Sequence, residues 1–361
     1  MLGMTGTGRG LNRRQFLVAS AGLLARVGWA GEAGALQRTS VGLATDVWGI
    51  HQRSQVAAGR KGDRSDPLGF LEQCHRLGAR GMQGPLGVRD AEYVAKLRQF
   101  AEERDLYIEG SIDLASPRFD VARFEKEVLT AKAAGVKVIR VVVTPGRRYE
   151  QFGSAEEFAR AVAQAREVLE KVEPVVARHK VRLAVENHKD HRVAERVELM
   201  KRLSSEYIGM CVDVGNSFAL CEDPMEVVRA YAPWAFSVHL KDQAVREYED
   251  GFLFADVHLG KGFLDLPGMV RVLREARPEV RFSLEVITRD SLRVPVLTAK
   301  YWATMGGVSA ADLARTLKTV KTKASAEALP VIGLLLVEAQ VEAETRNIER
   351  SLAYAREQLR L

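Results

Sequence analysis

Four residues with the chemistry of metal ligands or acid/base groups stand at the ends of short apolar runs. They are Glu186 in Leu183-Ala184-Val185-Glu186-Asn187-His188, Asp213 in Met210-Cys211-Val212-Asp213-Val214-Gly215-Asn216, His239 in Ser237-Val238-His239-Leu240-Lys241-Asp242, and Glu285 in Phe282-Ser283-Leu284-Glu285-Val286. Taken singly, each reads equally well as a cap or as a salt bridge to a neighbouring strand. Taken together they read differently, because an ionised carboxylate at the end of a buried strand is costly without a partner. Three converging on one mouth repel each other by roughly several kcal/mol. One divalent cation removes that cost. Three carboxylates and an imidazole form a mostly hard oxygen set, which favours Mn²⁺ or Mg²⁺, with Co²⁺ or Zn²⁺ possible.

Such a site needs a scaffold that brings four strand ends to one place. Short β-branched runs are expected as strands near Val41–Thr45, Gly81–Gln83, Leu106–Gly110, Val138–Val143, Arg182–Glu186, Ile208–Asp213, Phe236–Leu240 and Arg281–Val286. Between them, Asp66–Leu77, Asp90–Arg104, Asp120–Ala134, Ser154–Arg178, Val193–Leu203, Pro224–Tyr231 and Leu266–Ala276 have helical spacing. Asp66 before Pro67, Ser154 with Glu157, and Asp223 before Pro224 read as helix starts. Strands separated by helices must pair in parallel. Eight such units in about 250 residues suit a closed α/β barrel, the (β/α)8 TIM barrel, whose sites lie at the C-terminal strand ends. No glycine-rich phosphate loop follows the first strand, which disfavours an open doubly wound sheet. A helix near Ser309–Thr322 and one spanning Pro330–Leu361, with the proline in its first turn, form a C-terminal helical extension.

The chain has 361 residues with 47% hydrophobic and 28% charged positions, which excludes disorder and a multi-span membrane protein. Its net charge of +6 is concentrated at the start: residues 1–35 contain Arg9, Arg13, Arg14 and Arg26 against Glu32 alone. Removing them takes away three positive charges and leaves about +3, so nucleic acid is not implied. The order is that of an export leader: Asn12-Arg13-Arg14-Gln15-Phe16-Leu17, then an apolar run Phe16–Ala25 too short to be a stable membrane anchor, then small residues ending Ala33-Gly34-Ala35. It resembles a twin-arginine leader cleaved after Ala35, which implies passage through the twin-arginine export machinery and a periplasmic destination. An ordinary secretory leader with an accidental arginine pair is the alternative. Residues 36–361 then form one barrel domain. Cys74, Cys211 and Cys221 call for no disulfide, and a homo-oligomer is possible.

With these motifs in place, the chain resembles the sugar phosphate isomerase/epimerase family of xylose isomerase-like barrels from strand one to strand eight. The resemblance implies metal binding by Glu186, Asp213, His239 and Glu285, with Glu186 and Glu285 as the catalytic acid/base pair. Val257-His258-Leu259-Gly260-Lys261-Gly262-Phe263-Leu264-Asp265 is similar to the family's glycine-containing loop before the last barrel helix. Many sugar epimerases have a histidine three residues after the strand-six aspartate. Here it is Asn216, which can hydrogen-bond but cannot transfer a proton. Lys241-Asp242 resembles inosose dehydratases as much as epimerases.

The expected function is therefore metal-dependent isomerisation or epimerisation of a non-phosphorylated sugar or keto-sugar through an enediolate. The alternative is a lyase or dehydratase of a keto-sugar, 3-keto-glycoside or inosose. An inactive sugar-binding barrel and a nuclease are disfavoured, the first because both glutamates are present, the second because a three-zinc site needs more strand-end histidines. Substrate contacts are expected from His188, Lys241, Asn216, His258 as a lid residue, and Arg289, with Glu109 and Gln83 in reserve. His51, His75, His179 and His191 are assigned no role.

If the leader is read by the twin-arginine route, replacing both Arg13 and Arg14 by lysine keeps the full-length precursor in the cytoplasm. Fractionation of cells expressing the double variant checks this, and unimpaired export points to an ordinary secretory leader.

Overall fold

An isolated strand flanked by amphipathic helices can satisfy its backbone only against other parallel strands, and a ring of eight leaves no open edge. The computed structural model of the chain describes residues 38–59, 66–115 and 119–361. The expected leader and its cleavage site lie outside the described residues. The strands are β1 (Gly42–Ala44), β2 (Gly81–Gly84), β3 (Tyr107–Asp113), β4 (Val138–Val142), β5 (Arg182–Glu186), β6 (Ile208–Asp213), β7 (Ala235–Leu240), β8 (Asp242–Tyr248), β9 (Gly251–Val257), β10 (Arg281–Leu284) and β11 (Leu292–Val294). Eight of them, in the order β1-β10-β7-β6-β5-β4-β3-β2, close into a parallel barrel. The fold is a (β/α)8 TIM barrel with C-terminal helices. Its register sets Asp213 beside His239 and Ser283 beside His239, so neighbouring strand ends reach the same level.

The helices are α1 (Gly49–Ala57), α2 (Pro67–Arg76), α3 (Ala91–Glu103), α4 (Val121–Ala133), α5 (Arg148–Gln151), α6 (Ala155–His179), α7 (Val193–Leu203), α8 (Pro224–Tyr231), α9 (Leu266–Ala276), α10 (Ala299–Trp302), α11 (Ala310–Thr322) and α12 (Val337–Glu357), of which α2–α4, α6–α9 and α11 follow the apolar spacing closely. Ser154 and Asp223 cap α6 and α8 through the backbone N–H groups of Glu157 and Glu226. Asp66 does not cap α2. Its carboxylate is taken by the Tyr93 hydroxyl, a tertiary contact that outcompetes the local one.

Three elements depart from the sequence reading. The chain between β7 and α9 is a β-hairpin of β8 and β9, joined by β11 into a three-stranded antiparallel sheet. Its turn carries Asp250-Gly251, a hairpin signal. Gly251 has φ +151, and a Cβ there would meet the Val294 carbonyl. Under this sheet Tyr149, Phe218, Phe252, Phe254, Val294 and Tyr301 form a second core, separate from the one between barrel and helices. The last helix begins at Val337 and not in the turn after Pro330, because Asp290 accepts the backbone N–H groups of Ile332 and Gly333 and holds that segment as a loop.

Helix α1 was not expected, and its placement depends on α12. The buried carboxylate of Glu344 accepts Ile50 N at 2.8 Å, His51 N at 3.0 Å and faces His51 Nδ1 at 2.7 Å. It caps the first helix from the last one. All three cysteines are buried, and none of them is in a disulfide. Among the described residues no helix is long and apolar enough to cross a membrane.

Glu344→Ala leaves two buried N–H groups of α1 without an acceptor, and should cost about 2–3 kcal/mol of stability. Denaturant unfolding of the pair of proteins checks this; an unchanged midpoint means that water or another group replaces the cap.

Candidate active site

β5, β6, β7 and β10 deliver their last residues to one buried cluster at the C-terminal mouth. One ligand atom from each of Glu186, Asp213, His239 and Glu285 lies within 4.8 Å of all the others. His239 Nδ1 is 3.2 Å from Glu285 Oε1, 3.5 Å from Glu186 Oε1 and 4.0 Å from Asp213 Oδ2. It has no hydrogen-bond partner although it is fully buried. The other ring nitrogen explains why. Gln83 donates its amide to Glu109 at 2.9 Å and to Ser237 at 3.1 Å, so its carbonyl faces His239 Nε2 at 2.5 Å. Nε2 must therefore carry a hydrogen, which leaves Nδ1, facing the three carboxylates, as the nitrogen that can take either a proton or a cation.

Each carboxylate is oriented by its own partner. Arg140, in the middle of β4, donates Nε to Glu186 Oε2 at 2.6 Å; burial opposes ionisation there, but the guanidinium prevails and holds Glu186 well below the usual range. Glu285 behaves alike: burial is outweighed by His239 and by Lys241, whose Nζ is 2.6 Å from Oε2. Asp213 Oδ1 accepts Gly215 N and Asn216 N, and Asn187 brackets the Asp213 backbone with both ends of its amide. Asp213 Oδ2 has Lys241 Nζ at 2.7 Å but off the hydrogen-bonding line, and burial pushes this carboxyl up. At His239, burial disfavours the imidazolium; Cys211, Glu285 and Glu186 overcome it, so the pocket favours positive charge. His239 Nδ1 and Asp213 Oδ2, neither of them with a hydrogen-bond partner, and the oxygens of Glu186 and Glu285 form a donor set that fits a divalent cation.

Above the cluster lies a cavity of about 580 Å³, of the size of small-molecule sites. Arg140, His188, Lys189, Asn216, Lys241 and Arg289 are among its lining residues. His188 is neutral at ordinary pH, since burial lowers its proton affinity, and its Nδ1 has no partner.

With this geometry in view, the pattern of the Xylose isomerase-like TIM barrel family matches residues 71–320, well over half of the chain. The chain belongs to that family. Other members and neighbours include a 3-oxo-isoapionate decarboxylase from Pectobacterium atrosepticum, 26% identical over 219 residues, which cover 58% of this chain and 74% of that protein. D-psicose 3-epimerase superposes with a TM-score of 0.52 at 15% identity, over 81% of this chain and 93% of that one. A xylose isomerase-like TIM barrel protein from Mycobacterium smegmatis in complex with magnesium gives 0.52 at 16% identity, over 77% and 99%. At such identities the two structures speak for the fold.

In this xylose isomerase-like barrel three expected contacts are not at the mouth: Gln83, Glu109 and His258, the first of them lying in the layer beneath His239. Glu109 lies in mid-strand β3, four residues before its end, and accepts Ser237 Oγ at 2.6 Å within the barrel, one level beneath His239. His258 is carried away by the β8–β9 hairpin; its loop is tied to α12 through Leu259 N and Ser351, and His258 Nδ1 faces the Leu259 carbonyl. Asp242 does not pair with Lys241. Its carboxylate gathers the N–H groups of Gln243, Gly260, Gly262 and Leu264, and so anchors the glycine loop. Arg289 reaches the cavity while paired with Asp256 of β9 at 3.0 Å. Arg140 and Lys189 were missed. An arginine inside the run Val138–Val143 was a visible signal for the first; Lys189 directly follows the strand-five motif.

Gln83→Ala should remove the acceptor that fixes His239, lowering affinity for Mn²⁺ or Mg²⁺ about 10–100-fold with the fold intact. Metal titration with circular dichroism measures this; equal affinity means that the strand backbone alone orients the ring.

Proposed function

We propose that this protein is an exported, divalent-metal-dependent isomerase or epimerase of a non-phosphorylated keto-sugar. The observation that carries the reading is the pair of glutamates converging on His239 Nδ1, each held ionised by its own cation, Arg140 for Glu186 and Lys241 for Glu285. Glu186, Asp213, His239 and Glu285 would hold the cation, which when bound would polarise a substrate carbonyl and so acidify the adjacent C–H bond. The oxygen-rich donor set favours Mn²⁺ or Mg²⁺, and a fold neighbour bound to magnesium supports the harder metals.

One glutamate takes the proton from the carbon beside the carbonyl, and the C–H electron pair moves into the enediolate. For epimerisation the other glutamate first takes up a proton from solvent and delivers it to the opposite face, while the first glutamate releases its own to solvent. For aldose-ketose interchange the abstracted proton goes to the former carbonyl carbon and the enediol hydroxyl proton moves to the other oxygen. Lys241, hydrogen-bonded to Glu285, supplies positive charge beside the developing oxyanion. His188 and Asn216 offer neutral hydrogen-bonding groups to sugar hydroxyls. Asn216 also donates to the Asn187 carbonyl at 3.1 Å, which ties it between β5 and β6.

A lyase is the second reading, favoured by the 26% identical relative, a decarboxylase by name. Loss of a carboxyl group or a β-hydroxyl passes through the same enolate, so identical residues serve it.

The experiment is incubation of the Mn²⁺- or Mg²⁺-loaded protein with a panel of free keto-sugars, keto-glycosides and inososes in D₂O, followed by NMR. Deuterium beside the carbonyl without loss of mass supports the isomerase, whereas release of carbon dioxide or water supports the lyase. Failure to exchange or transform any of them contradicts both. Glu285→Gln should keep the fold and lose at least about a hundredfold in turnover; near-normal turnover removes it from the acid/base pair.

A further inference from the structure

Lys189 is buried, at 4% exposure, and lines the cavity. Its Nζ donates to Asn216 Oδ1, an uncharged acceptor, and no carboxylate among the described residues lies within ion-pairing distance of it. A buried ammonium without an anionic partner is costly, and a fold retains one where a partner arrives from outside. Support of Asn216 does not explain it, since Lys241 Nζ already donates to the same oxygen at 3.3 Å.

The local backbone is built to hold Lys189 there. The residue has φ +62, a left-handed conformation that non-glycine residues rarely adopt. Asp190 enforces it by accepting His188 N at 3.1 Å and His191 N at 2.8 Å. That carboxylate is itself fixed by Arg196 at 2.7 Å and by the Thr144 hydroxyl at 2.5 Å.

The charges around the site point the same way. Glu186, Asp213 and Glu285 are paired with Arg140 and Lys241, so a divalent cation would overbalance those three carboxylates by one charge and leave Lys189 as a second uncompensated one. The cavity's other acids, Asp46 and Asp113, come from the β1 and β3 side. Lys189 stands on the opposite arc, where its charged neighbours are Lys241 and Arg289 together with Asp213 and Asp256, and each of these two carboxylates already has a cation of its own. Burial, Lys241 and Arg289 lower its pKa to about 8 against the opposing pull of Asp213 and Asp256.

We propose that Lys189, with Arg289 beside it, forms an anion-binding wall of the cavity and that the substrate is a sugar acid, a polyhydroxylated keto acid whose carboxylate rests on Lys189. This rests on the cavity being the substrate site, and it applies to isomerase and lyase alike. A phosphate presents similar chemistry, so the test separates the two.

Three unreactive probes are titrated calorimetrically into the Mn²⁺-loaded protein: D-gluconate, D-glucitol, which lacks only the carboxylate, and D-glucitol 6-phosphate. Gluconate should bind at least about tenfold more tightly than glucitol. Lys189→Met should abolish that preference while retaining bound Mn²⁺ and the glucitol affinity, and Lys189→Arg should restore part of it. Absence of gluconate binding at millimolar concentration, equal affinity for gluconate and glucitol, or a preference untouched in Lys189→Met each overturns the proposal. Tighter binding of the phosphate, lost in the same variant, also overturns it and assigns the wall to a phosphosugar. These outcomes are independent of hydrogen exchange in D₂O, so the reaction can fail while the subsite stands, and the reverse.

Discussion

Three carboxylates meet at a water-poor barrel mouth, and the arrangement of everything near them answers that repulsion. Arg140 comes from mid-strand β4 to Glu186, Lys241 from beyond β7 to both Asp213 and Glu285, and the backbone amides of Gly215 and Asn216 to the inner oxygen of Asp213. Left unbalanced, such a cluster would neutralise itself by taking up protons. The cationic partners keep Glu186 and Glu285 ionised and oriented, which is also what a proton acceptor and a cation ligand require. Electrostatic compensation and function are here the same arrangement.

The barrel supplies the rigidity. Parallel pairing aligns Asp213 with His239 across β6 and β7, and the layer below, Gln83, Glu109 and Ser237, fills the interior with a closed hydrogen-bond set. That layer decides which nitrogen of His239 is available above it. Glu109 thus acts from beneath the site. The sheet of β8, β9 and β11, resting on its own aromatic core, brings Asp256 to Arg289 and shapes the rim without touching the cluster.

In this site the floor and the rim carry different groups. A floor that stabilises charge on an oxygen next to a reacting carbon serves proton transfer, dehydration and decarboxylation equally. The rim, where His188 and Lys189 stand on the loop after β5 and Arg289 on the loop after β10, differs in charge from one position to the next.

Much was legible in the sequence because it was local. Alternating apolar runs and helical periods define eight βα units, and a strand's end can be read from where its apolar run stops, so Glu186, Asp213, His239 and Glu285 could be assigned to one mouth before any coordinates. Contacts between distant residues were not legible. Nothing near Glu109 says that it faces Gln83 and not solvent, since a strand's depth in the barrel depends on the stagger of its neighbours. His258 looked like a lid residue until the pairing of β8 with β9 directed its loop toward α12. Arg140 and Lys189 are one charge each in sequence; only the converging strand ends show that one has a carboxylate to hold and the other has none. The sequence by itself determined which groups are present and on which elements, through periodicity that depends on near neighbours. Tertiary structure decided which charges are compensated and which still face the cavity, because compensation depends on distances across the barrel that no local pattern encodes.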